Sequence, residues 1–156
     1  GLMWISGKIK STVMVVACPY DGLPISIEIK RGKTSIESSI SNGIPVFTFR
    51  VKASGNITEK ACITNINDLQ VRRAIERALA AAIEKDIQAT VTTAQDLGVD
   101  FLNLAAALHR QHRNEWHQMS ANWPQTFKEA QFKIQVEAKI PQVSLLAKPL
   151  VPIKTR

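Results

Sequence analysis

The sequence predicts an α+β domain, in which an antiparallel sheet of about five to six strands carries one long helix and shorter helices. Segments with apolar residues at every second position fill the first 64 residues and recur near the end. A stretch with apolar residues at every fourth position lies between them. This order of strands, helices and a last strand is typical of α+β folds with helices on one face of the sheet. The 156 residues suit a single domain spanning 1–156.

The first 64 residues predict the strands of the sheet. Apolar residues alternate with polar ones around Ile25, Ile27, Ile29, Phe47, Phe49 and Val51, as in half-buried strands. The apolar run from Val13 to Cys18 predicts a central strand covered on both faces. The Asn42-Gly43 pair predicts a tight hairpin turn. Further turns are expected at Asp21-Gly22, Arg31-Gly32 and Gly55-Asn56.

A long helix is predicted from Asp68 to about Asp96, a stretch without glycine or proline. Its apolar stripe comprises Val71, Ile75, Leu79, Ile83, Ile87 and Val91. Because a spacing of four exceeds the 3.6-residue turn, the stripe drifts around the helix, as suits a helix laid across a twisted sheet. Asn65, Asn67 or Asp68 is expected to cap its start, and Gly98 its end.

Shorter helices are predicted after Gly98. Asp100 is expected to begin the first of them, and Trp123-Pro124 is expected to break the last, because the residue before proline avoids helical geometry. Trp116, Trp123 and Phe127 are expected to anchor these helices to the sheet, since large rings dominate cores. Asp100 is counted among these structural anchors as a turn or cap residue.

The end of the chain predicts one more strand. Phe132, Ile134 and Val136 alternate with polar residues, and this strand is expected to rejoin the sheet made by the first region. That return makes the chain one domain. Residues 141–156 are expected to form a loose tail or an edge segment, because prolines interrupt them.

The net charge of +7 is unevenly distributed along the chain. Basic residues outnumber acidic ones eight to four in residues 1–60 and six to two in 123–156, whereas residues 61–122 hold six against seven. The basic residues form no run, and aromatic residues are only 6%, so a nucleic-acid partner is not expected. Lys148, Lys154 and Arg156 are weak candidates for contact with an anionic membrane or a protein partner.

No catalytic or cofactor site is predicted, because no nucleophile elbow or glycine-rich phosphate loop occurs. His109, His112 and His117 are the nearest approach to a metal site. They lack the H-E-x-x-H pattern, and two arginines lie among them, so a polar helix surface is the favoured interpretation. Cys18 and Cys62 are interpreted as free, buried thiols. A disulfide between them is the alternative if the domain faces an oxidising compartment.

Several motifs follow one another along the chain: the opening Gly-Leu-Met-Trp-Ile-Ser-Gly running to Pro19, the segments Gly55–Glu59 and Asp100–Leu104 with the long helix between them, Glu115-Trp116, Trp123, Phe127 and the strand from Phe132. In this order they resemble the C-terminal domain of the Ger(x)C family, the C subunits of bacterial spore germinant receptors. The family often has proline three residues before the tryptophan that corresponds to Trp116, where this chain has Arg113.

The resemblance implies a non-catalytic interaction domain that contributes to assembly or signalling of the nutrient receptor that triggers germination. Family members are lipoproteins on the outer face of the spore inner membrane, and they assemble with membrane-embedded A-type and B-type subunits. The chain is then expected to be the C-terminal domain of a longer multi-domain lipoprotein, soluble by itself, with the lipid anchor elsewhere. A nutrient-sensing pocket between sheet and helices is the alternative, and a metal-dependent enzyme using the three histidines is a weaker one.

Overall fold

Four strands form one sheet in the computed structural model, which describes residues 1–7, 9 and 11–141. The strands are β1 (Thr12–Ala17), β2 (Pro24–Ser41), β3 (Ile44–Lys60) and β4 (Gln131–Lys139), and they lie in the order β1-β2-β3-β4. The helices are α1 (Leu2–Ile5), α2 (Leu69–Leu97), α3 (Leu104–Gln111), α4 (Arg113–Met119) and α5 (Trp123–Glu129), with a 3-10 turn at Ser120–Asn122. The α+β class is confirmed, whereas the predicted count of five to six strands is wrong.

Two long strands explain the lower count. β2 and β3 pair as an antiparallel hairpin closed by Asn42-Gly43, both with positive φ as predicted. The turns predicted at Arg31-Gly32 and Gly55-Asn56 do not occur, because both glycines lie inside strands. A β-carbon on Gly55 would lie 2.6 Å from the Glu28 carbonyl oxygen, so this glycine permits a close approach of backbones rather than a turn.

The sheet is mixed rather than antiparallel, because β4 pairs with β3 in parallel. The 29 residues of α2 span about 43 Å and carry the chain back along the sheet, and the short helices then deliver it beside the start of β3. The first residue of β4, Gln131, accordingly pairs with Val46. A parallel pair joined through helices is the usual form of such a crossover. The return of the last strand to the sheet is confirmed, but its direction was predicted wrongly.

β1 lies at an edge of the sheet, which corrects the prediction of a central strand covered on both faces. Val16 is buried, whereas Val13 and Val15 are 57% and 63% exposed. Val13 and Val15 lie on the side of the sheet opposite the core, and within the described residues they remain largely exposed.

Helix α2 follows the prediction closely. Asp68 caps its start, because its Oδ1 accepts hydrogen bonds from the backbone N–H groups of Gln70 and Val71 at 2.8 and 3.2 Å. Gly98 ends it in the left-handed conformation with φ of 65°. The face packed on the sheet is fully buried at Ile75, Leu79, Ile83, Ile87 and Val91. No helix in the described part of the chain combines the length and hydropathy that crossing a membrane requires.

Residues 142–156 lie outside the described residues, so the loose tail or edge segment expected at 141–156 stays a prediction, as does the extent 1–156 of a single domain. Lys148, Lys154 and Arg156 lie in that part of the chain. Their proposed contact with a membrane or a partner also stays a prediction.

Candidate interaction surfaces

Asp100 ties two short helices together. Its Oδ1 accepts from the Leu104 N–H at 2.9 Å, and its Oδ2 accepts from the Ala105 N–H at 2.7 Å and from Trp123 Nε1 at 3.2 Å. The helix that it caps begins at Leu104, four residues later than predicted. One carboxylate therefore satisfies two free N–H groups at the start of α3 and also fixes the indole at the start of α5.

The aromatic residues predicted as anchors meet in one cluster beside Asp100. The ring centre of Trp123 lies 5.3 Å from that of Trp116 and 5.9 Å from that of Phe127. Phe127 is fully buried and packs edge-on against Phe132 of β4, while both tryptophans are partly exposed. Trp123 has helical angles and begins α5, so the break predicted there is wrong. The following proline falls in the first helical turn, where its missing N–H costs nothing.

Large apolar side chains are exposed at the end of α2 and in the turn that leads to α3. Leu97, Val99 and Phe101 are 65%, 54% and 41% exposed. Asp100 lies between two of them, and its inward hydrogen bonds leave Val99 and Phe101 at the surface. We call these three residues the turn patch. Exposed apolar groups this close together are typical of interaction sites.

The three histidines do not converge on one point. His112 donates from Nε2 to the Ser38 carbonyl oxygen at 2.7 Å, which binds it to the edge of β2. The rings of His109 and His117 are 6.3 Å apart between centres, and both residues are exposed. Within the described residues, the one group of three ligand-type residues close enough to share an ion is Cys18, Asp21 and Cys62, and both its sulfurs are bonded to each other.

Gln111 covers a free strand edge that sequence reasoning did not identify. Beyond the end of β1, none of the described strands pairs with β2 on that side. The Gln111 amide accepts from the Ser38 N–H at 2.7 Å and donates to the Ile36 carbonyl oxygen at 3.0 Å. The side chain thus makes the two hydrogen bonds that a further strand would make, which protects the edge from unwanted pairing. A lone glutamine near a helix end gives no sequence signal for this role.

Cys18 and Cys62 form a disulfide, which corrects the interpretation as free thiols. Both lie just beyond strand ends at the same end of the sheet, because β2 pairs with β1 on one side and β3 on the other. Their Cα atoms are 6.0 Å apart and both residues are buried. Asp21 supports the adjoining turn, accepting from the Leu23 N–H at 3.0 Å and the Ile63 N–H at 3.3 Å.

The face of the sheet turned away from the helices carries a concentration of positive charge. We call this surface the open face and define it by residues that alternate with the core positions of β2, β3 and β4: Arg31, Lys33, Ser35, Glu37, Arg50, Lys52, Lys133, Gln135, Glu137 and Lys139. Six of these are basic and two are acidic. A shallow depression of about 300 Å³ lies among Arg31, Lys33, Lys52, Glu137 and Lys139. The basic regions noted at both ends of the sequence therefore contribute to one surface.

The same side of the sheet nearer β1 carries a local ion pair. Lys30 Nζ lies 2.7 Å from Glu28 Oε1, and the Ser11 hydroxyl donates to the same oxygen at 2.6 Å. The hydrogen bond from Lys30, followed by that from Ser11, lowers the pKa of the Glu28 carboxyl below its ordinary value. Glu28 is thereby kept ionised beside Lys30 and adds no unpaired negative charge to this side of the sheet.

Comparisons with known proteins place the chain in a family. A family model described as "Spore germination B3/ GerAC like, C-terminal" matches residues 1–144. Spore germination protein B3 of Bacillus subtilis (strain 168) is 31% identical over 144 residues, and Spore germination protein KC of the same organism is 24% identical over 151 residues. These alignments cover 89% and 96% of this chain and 37% of each relative.

A solved structure agrees with this assignment. The crystal structure of the GerBC protein matches with a TM-score of 0.78 and 30% identity, covering 90% of this chain and 43% of that one. The chain thus spans less than half the length of the proteins it matches. It belongs to the Ger(x)C family of spore germination proteins, in which it corresponds to the C-terminal domain.

Proposed function

We propose that this chain is a non-catalytic interaction domain of a spore germinant receptor C subunit, contributing to assembly or signalling of the receptor that triggers germination. The observation that carries the proposal is the family match over residues 1–144, which includes all the residues that the structure describes. The contacts of His112 and Asp100 are also compatible with a non-catalytic role, because each of these side chains bonds to backbone atoms of the fold.

We further propose membrane-embedded A-type and B-type receptor subunits as the partners. In this proposal the full-length protein lies on the outer face of the spore inner membrane, held by a lipid anchor outside this chain. The names of the relatives support a role in spore germination, and the partners and the location extend that role.

The turn patch is the surface that we assign to protein docking. Its three exposed side chains, Leu97, Val99 and Phe101, offer the apolar area that protein interfaces use at their centres. The residue between two of them, Asp100, is held by three hydrogen bonds, so the turn is rigid before a partner binds. A rigid turn loses little conformational entropy on binding, which favours affinity.

Co-recovery of receptor subunits tests this proposal. A tagged full-length C subunit, with or without the region equivalent to residues 1–156, is recovered from detergent-solubilised spore membranes, and the two membrane subunits are quantified. We expect the deletion to abolish co-recovery while the shortened protein stays folded and anchored. Unchanged co-recovery would assign docking to the rest of the C subunit and would contradict the proposal.

A point variant tests the docking surface itself. Val99→Ser combined with Phe101→Ser should lower co-recovery, because it removes exposed apolar contacts without touching the core. Ile63→Ser is the matched control, because Ile63 is 92% exposed and lies beside the disulfide. Equal co-recovery with both variants would rule out the turn patch as the docking surface.

A further inference from the structure

We propose that the open face binds the surface of an anionic phospholipid bilayer. This contact is additional to the docking of receptor subunits and uses a different surface from the turn patch. It rests on the charge, the composition and the geometry of the strand residues that face away from the helices.

The positive charge of the open face is mostly uncompensated. Of its two carboxylates, Glu37 pairs with Arg50, with Oε2 and Nε 3.3 Å apart. Arg50 also donates to Gln135 of β4. Within the described residues, Lys33, Lys52 and Lys133 have no carboxylate within 4 Å of their ammonium groups. In this part of the chain, no paired carboxylate competes with an external anion for these ammonium groups.

The composition of the open face favours a lipid surface over a protein. Its cations are four lysines and two arginines, and no aromatic residue is among its members. The exposed apolar residues on the same side of the sheet, Val13 and Val15, lie on β1, outside this array of charge. Centres of protein–protein interfaces are enriched in aromatic residues and depleted in lysine, which is the opposite composition. Lysines at an anionic membrane instead act as a diffuse group of charges, and each one near the surface strengthens attachment roughly fivefold.

The geometry of the open face also suits a bilayer. Cross-strand rows place Lys33, Lys52 and Glu137 side by side, and a neighbouring row places Arg31, Ser54 and Lys139 side by side. Strands are about 4.8 Å apart and alternate residues of a strand about 6.7 Å apart, so the cations form an array roughly 10 Å wide and 20 Å long. An extended array of charge can contact many headgroups at once, and each charge is attracted when it lies within a Debye length, about 8 Å, of the bilayer surface.

Vesicle sedimentation tests the proposal on the 156-residue chain, with circular dichroism to verify folding. The probes are vesicles of phosphatidylcholine alone and vesicles containing about 30% phosphatidylglycerol, each at low and high salt. We expect binding only to the phosphatidylglycerol vesicles and weaker binding at high salt. Equal binding to both vesicle types, or binding that salt does not weaken, would overturn the proposal.

Paired charge reversals assign the binding to the open face. Lys33→Glu with Lys52→Glu should weaken binding to phosphatidylglycerol vesicles at least tenfold. Lys85→Glu with Arg110→Glu makes the same change of net charge at exposed helix positions and should leave binding within about twofold. Equal losses in the two variants would show attraction by net charge alone and would overturn the proposal. If the first variant does not fold, Lys33→Gln with Lys52→Gln replaces it.

Two further measurements distinguish lipid binding by the open face from binding of an acidic protein and from docking by the turn patch. Binding of poly-glutamate but not of phosphatidylglycerol vesicles would identify an acidic protein as the partner and contradict the lipid assignment. The Val99→Ser, Phe101→Ser variant should still bind vesicles, because the turn patch is separate from the open face. Unchanged co-recovery of the receptor subunits in this variant would contradict the docking role of the turn patch alone, and loss of its vesicle binding would contradict the open-face proposal alone.

Discussion

The two faces of the sheet have opposite compositions although the same strands build both. On the helix-covered face, Ile27, Phe47 and Phe49 are completely buried. On the open face, one residue further along β3, Arg50 is exposed and charged. This alternation separates two roles, since the covered face supplies the stability of the fold and the open face is free to evolve for binding. Changes on the two faces should therefore have very different effects.

The largest expected difference in stability is between substitutions at two adjacent residues of β3, one on each face of the sheet. Phe49→Ala should lower the free energy of unfolding by about 3–5 kcal/mol, because it removes a fully buried ring stacked 6.0 Å from Phe132. Arg50→Ala should cost about 0–1 kcal/mol, because its pair with Glu37 is solvent-exposed. Urea unfolding of both variants measures the difference. Similar losses of unfolding free energy in the two variants would show that the covered face does not supply most of the stability.

The disulfide should contribute the next largest effect. It closes a separation of 44 residues, so replacing Cys18 and Cys62 together by serine should lower the free energy of unfolding by about 2–4 kcal/mol. Unfolding of the native chain with and without a reducing agent gives the same comparison without mutation. A reductant that leaves the unfolding midpoint unchanged would contradict the presence of the bond.

A smaller loss of stability is expected when Asp100, which lies outside the sheet, is replaced. Asp100→Ala leaves the N–H groups of Leu104 and Ala105 and the Trp123 indole without their acceptor, which should cost about 1–2 kcal/mol. Asp96→Ala, an exposed aspartate in the last turns of α2, is the control and should change stability by less than about 0.5 kcal/mol. Urea unfolding followed by tryptophan fluorescence measures both. Equal changes of stability in the two variants would show that Asp100 does not anchor the short helices.

The smallest effect concerns the ion pair of Glu28 and Lys30. Because the folded state lowers the pKa of Glu28, the pair stabilises the fold above the ordinary glutamate pKa of about 4.3, and this contribution is lost as the pH falls through the lowered value. In Lys30→Ala the pKa of Glu28 should rise towards its ordinary value. Carbon-detected NMR titration of the carboxyl measures it, and an unchanged pKa would contradict the assigned cause.

Local signals in the sequence predicted much of the fold correctly. The Asp68 and Gly98 caps, the stripe from Ile75 to Val91 and the Asn42-Gly43 turn each depend on a few neighbouring residues, and all are present. The errors concern distant parts of the chain. The parallel direction of β4 depends on where the short helices end, and the role of Gly55 depends on the backbone of β2 opposite it.

The candidate surfaces were less predictable than the fold. The sequence predicted Asp100, Trp116, Trp123 and Phe127 as structural anchors and did not indicate the turn patch, because exposure depends on packing. The basic excess at both ends of the chain was visible, whereas its convergence on the open face required the pairing of β4 with β3. The bond between Cys18 and Cys62 likewise depends on strand pairing that sequence spacing does not reveal.

Chemical footprinting of lysines tests most directly whether the open face is a binding surface. Spore membranes containing the assembled receptor, and the isolated chain, are treated with a lysine acetylating reagent, and modification is quantified by mass spectrometry. We expect Lys33, Lys52 and Lys133 to be protected in membranes, while Lys85 on α2 reacts equally in both samples. Equal modification of the open-face lysines in both samples would contradict the account.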